Sequence, residues 1–101
     1  MNNFLEKLTD EVQKEYHKKK QEIIEKMLNS CTIATRDEDG ELLPLDVLKR
    51  HMQIIGCELE IRNTGIYENI TLLINGVEEQ VYQMFTDCWD DKVKIRCVKL
   101  L

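Results

Sequence analysis

The sequence predicts an α+β fold in which one long N-terminal helix precedes a ferredoxin-like βαββαβ sheet domain. Two observations predict it. Residues 1–30 repeat their apolar positions at helical spacing, and residues 31–101 alternate between strand-like and helix-like spacing in the order strand, helix, strand, strand, helix, strand. Turn-forming residues mark most of the switches between them. The chain divides accordingly into a helix over 1–30, for dimerisation or for covering the sheet, and a sheet domain over 31–101.

Asn3 and Glu6 have the spacing of a capping box, which opens a helix from Phe4 to Asn29. Phe4, Leu5, Leu8, Val12, Tyr16, Ile23 and Met27 share one side of it. Such a helix is roughly 39 Å long, more than one small domain covers, and His17 to Glu22 is wholly polar. Glu15 and Lys19 at seam positions spoil a coiled-coil heptad, so an antiparallel or splayed helix pair is expected in place of a zipper.

Cys31 to Thr35 reads as the first strand, closed by turn chemistry at Asp37-Glu38-Asp39-Gly40. Pro44 then begins a helix from Leu45 to Ile55 with Gly56 as its stop. Cys57, Leu59 and Ile61 alternate with Glu58, Glu60 and Arg62 as a one-sided strand, and Ile70 to Ile74 returns antiparallel to it. Asn75-Gly76 is a hairpin signal that favours a strand next. Against it, Val77, Val81, Met84, Phe85 and Cys88 recur at three- and four-residue spacing, and a helix is expected over 77–89. Val93, Ile95 and Cys97 form the last strand. In the ferredoxin-like order both crossovers are right-handed and both inner helices share one face. Thr32, Ala34, Thr71 and Leu73 then occupy the middle of the other face, which carries no aromatic residue.

Composition bounds the function. A 101-residue chain is one domain, with room for a core and little for an elaborate cleft. A net charge of −5 opposes broad contact with nucleic-acid phosphates. Lys18-Lys19-Lys20 is offset by Glu15 and Glu22. Met1 to Lys7 lacks the apolar core of a signal peptide and no long apolar run follows, so a cytoplasmic protein without membrane contact is expected. In that compartment Cys31, Cys57, Cys88 and Cys97 are thiols. No Cys-x-x-Cys pair occurs, and the thiols lie in phase with apolar neighbours, so they read as core residues and no metal or cofactor is expected.

His51 falls within the apolar arc of its helix and reads as a structural histidine. Asp37, Asp39 and Gly40 match part of a calcium loop, but Thr35 and Asp46 hold its end positions, so a tight acidic turn is expected. Glu58 and Glu60 with Arg62 read as a solvated edge that discourages strand-to-strand aggregation, in preference to a catalytic carboxylate pair.

Three functional expectations follow; an enzyme is not expected, and only the third, a ligand pocket, leaves room for one. The first is an interaction protein that forms a homodimer through the apolar side of its first helix, Phe4, Leu8, Val12, Tyr16, Ile23 and Met27. The second is a phage or viral inhibitor of a basic host nucleic-acid-binding or defence protein. Its acidic contacts are Asp37, Asp39 and Glu41, Glu58 with Glu60, and Glu78 with Glu79, and its single Ala and single Ser fit an AT-rich genome. The third is a binder of a small anionic ligand held by Arg62, Lys94 and Arg96 between sheet and first helix.

Overall fold

A computed structural model describes residues 8–101. Two helices come first, α1 (Asp10–Ser30) and α2 (Leu45–Ile54). Four strands follow without interruption: β1 (Cys57–Asn63), β2 (Tyr67–Ile74), β3 (Val77–Trp89) and β4 (Lys92–Lys99). They pair antiparallel in chain order, β1-β2-β3-β4, as a meander. The fold is α+β, but the ferredoxin-like βαββαβ order is wrong on two elements.

The first is the expected strand at Cys31–Thr35. Those residues are consumed in ending α1. Thr32 takes a left-handed φ of 61°, and the Thr32 and Ile33 amides donate to the Asn29 and Leu28 carbonyls at 3.0 Å each. This is a Schellman stop, sealed by Leu28 against Ile33, both buried. A chain turned back on its helix cannot extend into a sheet. Residues 31–44 instead form a loop with one isolated bridge, Arg36 to Leu42.

The second is the expected helix over 77–89, which is β3, the longest strand. Asn75 and Gly76, with φ of 52° and 79°, make the two-residue turn that a tight hairpin requires. The helical spacing is produced by two superposed strand patterns. Tyr82 and Met84 point to the core while Val81 and Phe85 pair on the opposite face, and a bulge at Glu79 shifts the phase between Val77 and Val81. Asp90 and Asp91, both at positive φ, turn the chain into β4.

Helix α1 also starts later than Phe4. Thr9 caps it, its hydroxyl accepting from the Val12 amide at 3.4 Å, and Asp10 and Glu11 meet the positive end of the helix dipole. The Asn3–Glu6 capping box lies outside the described residues.

Both helices pack on one face of the sheet. Tyr16, Met27, Leu28, Ile70, Leu72 and Met84 are all but inaccessible there, each contributing roughly 1.5–3 kcal/mol by leaving water. Glu68 brings a charge into this layer. It is 5% exposed, and one carboxylate oxygen accepts from the Tyr16 hydroxyl at 3.3 Å and the Lys20 ammonium at 2.9 Å. The buried charge is thus paired, and the pairing fixes α1 across β2.

Candidate functional site

Among the described residues, none packs over the other face of the sheet as the helices do over the core face. The strand register lays its side chains out in rows. Glu58, Leu73 and Glu78 form one end, then Glu60, Thr71 and Val81, then Arg62, Asn69, Gln83 and Val98. Tyr67, Phe85 and Arg96 follow, and the β3–β4 ribbon carries Asp87 beside Lys94 and Trp89 beside Lys92 beyond them. Glutamates therefore gather at one end with Arg62 beside them, and Arg96, Lys94 and Lys92 lie at the other, roughly 20 Å from Glu58 and Glu78 at the strand rise. Between them the face is largely apolar or neutral.

Sequence reasoning missed the aromatics of this face. The periodicity places Phe85 on a helix, and the expectation of no aromatic residue fails with that helix. Phe85 faces Tyr67 directly, and the Arg96 guanidinium lies 5.9 Å from the Phe85 ring centroid. Trp89, 67% exposed, extends the patch. The Asn75-Gly76 hairpin signal could have found them. Two ion pairs cross the face, Arg62 to Glu60 at 3.0 Å and Arg96 to Asp87 at 3.2 Å, both exposed and therefore weak. The Asn69 side-chain oxygen is buried without a hydrogen-bond partner among the described residues.

The second surface is the outer edge of β1. Gly56 and Thr64, at either end of the strand, both bond toward β2, the first through its carbonyl to the Asn75 amide and the second through its amide to the Tyr67 carbonyl. By alternation Glu58, Glu60 and Arg62 also bond inward, and the amides and carbonyls of Leu59, Ile61 and Asn63 point away from the sheet. No hydrogen bond reaches them from the described residues. Alongside lies a cleft of about 650 Å³ between α1, α2 and β1, lined by Ile24, Lys49, Met52, Leu59 and Ile61 among others.

The expected interaction residues scatter. Phe4 lies outside the described residues. Tyr16, Ile23 and Met27 are buried in the chain's own core, with Leu8 packed against it and Val12 half-buried. The apolar side of α1 is thus occupied by its own sheet. Asp37, Asp39 and Glu41 form the expected acidic turn, in which the Asp37 carboxylate accepts from the Asp39 and Glu41 amides at 2.9 Å each. Glu58 and Glu60 lie on β1, where the Glu60 side chain is 49% exposed.

Arg62, Lys94 and Arg96 lie on the face away from α1, with two strands between Arg62 and the others. They do not converge between sheet and helix, because the strands that carry them point those side chains to the open side. Thr71 shares that face, and Thr32 caps a helix.

Cys57 is buried, and burial raises its thiol pKa, with the neighbouring Cys31 thiol adding to the effect. Burial also raises the pKa of Cys97, opposed by Lys19 and Lys26. Cys88 is exposed, contrary to the helical arc expected around it. His51 is half-buried. Burial, with Glu68 beside it, holds the Tyr16 hydroxyl well above the ordinary tyrosine range. Among the described residues no group of three or more His, Cys, Asp or Glu side chains has the geometry to hold a metal ion, and no helix is long and apolar enough to cross a membrane.

Comparison of the chain with family models, with curated proteins and with solved structures finds no match.

Proposed function

We propose that the protein works by binding protein chains, with a second copy of itself as the first partner. One observation carries the reading: among the described residues, helices shield the sheet on one face only. The other face carries Leu73 beside Val81 and, beyond the Asn69–Gln83 row, Tyr67 beside Phe85, all four half-buried, and the β1 edge takes no strand from the described residues. Apolar sheet surface and open strand edges are the features through which β proteins associate. The apolar side of α1 is not the contact in this reading, since its own core occupies it. A cytoplasmic setting, with all four cysteines as thiols, belongs to the same proposal.

Light scattering of the full chain over a wide concentration range tests it. Twice the chain mass at the higher concentrations is the expected result. A single-chain mass throughout would end the homodimer reading.

A basic protein partner is a second reading, favoured by the gathering of Glu58, Glu60 and Glu78 at one end of the open face. Attraction of that kind weakens steeply with salt. Capture of a basic protein that ignores salt would count against it.

A further inference from the structure

We propose that two copies of the chain join through β1, antiparallel about a two-fold axis at Ile61, to form one continuous eight-stranded sheet. The inference rests on the homodimer reading and specifies its contact.

Leu59, Ile61 and Asn63 present outward amides and carbonyls with no partner among the described residues, so a strand added here finds a complete set of donors and acceptors. A two-fold axis makes the added strand β1 itself, and the side chains then decide the register. Centring the pair on Glu58, Leu59 or Glu60 sets glutamates against glutamates, and centring it on Arg62 sets arginine against arginine. Centring on Glu60 also brings Glu58 against the partner's Arg62 but keeps Glu60 against Glu60, so Ile61 is the centre at which opposite charges meet and no like charges do. Glu60 then faces the partner's Arg62, and Arg62 faces the partner's Glu60.

This centre also satisfies the hydrogen-bonding phase. Ile61 pairs with the partner's Ile61, and Leu59 with the partner's Asn63, as the hydrogen-bonded positions. Glu60 and Arg62 occupy the intervening positions, where facing side chains come closest, with Cα atoms about 4.5 Å apart. Within one chain these two residues already bridge at 3.0 Å on an exposed edge. In the pair they form an alternating ring of four charges. A run of one sign on β1 would have guarded the edge; Glu60 followed two residues later by Arg62 makes it self-complementary instead.

The apolar side agrees. Ile61 is 47% exposed in the single chain and Leu45 64%, and both line the cleft beside β1. Pairing covers each Ile61 with its mate. The axis runs perpendicular to the sheet, so both α2 helices stay on one side of the joined sheet and the two open faces become continuous on the other.

Charge reversal tests this in the full chain. Glu60→Arg sets arginine against the partner's Arg62, and Arg62→Glu sets glutamate against the partner's Glu60, so each single variant should dimerise at least roughly tenfold more weakly. The double variant exchanges the signs and should recover the dimer. Mixing the two single variants should yield a heterodimer, a gain that misfolding cannot imitate. Sedimentation velocity reads all four. A wild-type monomer at every concentration would remove the homodimer reading and this contact together. A dimer unchanged by either reversal, or single variants that fail to associate when mixed, would overturn the β1 pairing and leave the homodimer reading intact.

Discussion

Lys20→Met should destabilise the fold more than Glu68→Gln, although both break the same ion pair. The Glu68 side chain is 7% exposed and that of Lys20 19%, and their charged atoms are 2.9 Å apart. With Lys20 removed, the carboxylate stays in the layer between α1 and β2 and keeps the Tyr16 hydroxyl at 3.3 Å. Stranding a buried charge costs about 3 kcal/mol, the lower end of the usual range because one hydrogen bond remains. With Glu68 made glutamine, the ammonium swings to water on its four-carbon stem, while the amide oxygen still accepts from Tyr16. That loss is about 1–2 kcal/mol. Urea unfolding followed by far-UV circular dichroism reports both, at one fixed protein concentration so that association contributes equally to each variant. For a chain of this size about 3 kcal/mol lowers the midpoint by roughly 2 M, and the glutamine variant by roughly 1 M. Equal midpoints, or a lower one for Glu68→Gln, would refute the claim that desolvation of the carboxylate governs this contact.

Two further outcomes are expected. Gly56→Ala should cost more stability than Gly76→Ala. Both glycines have positive φ, 72° and 79°, but a methyl at Gly56 runs into the Asn75 side chain whereas one at Gly76 meets open space. Thermal melts should show a loss of about 1 kcal/mol for Gly76→Ala from backbone strain alone and a somewhat larger one for Gly56→Ala, where the end of the Asn75 side chain must also swing aside. Stability should also fall as pH rises above about 9. Cys57 and Cys97 are raised from 9.0 and Tyr16 from 10.0 in the folded chain, so the unfolded chain loses those protons first. The contribution is complete below about pH 9 and drains away above it, and Tyr16→Phe should flatten the part beyond about pH 10. Unchanged midpoints between about pH 8 and 11 would contradict the assignment.

Local chemistry makes several elements legible in the sequence. Pro44 and Gly56 bracket α2, the clean alternation of Cys57 to Arg62 is β1, and Val93, Ile95 and Cys97 lie on β4 as expected. Those signals act over a few residues, through φ preference and through the need to bury one side of a strand. The outward aspect of Glu60 and Arg62 is legible for the same reason. What tertiary structure decided was the topology. Cys31 to Thr35 has strand composition, but the helix before it needed a stop, and the cap formed by Leu28, Thr32 and Ile33 took those residues. Residues 77–89 have helical spacing because β3 is apolar on both faces and bulged at Glu79, a pattern that makes sense only once Met84 lies under α1 and Phe85 lies on the open side. The apolar stripe of α1 showed that the helix must bury one side, and only packing showed that its own sheet is the partner. Periodicity reports that a side chain seeks cover; which surface covers it depends on contacts between residues far apart in the chain.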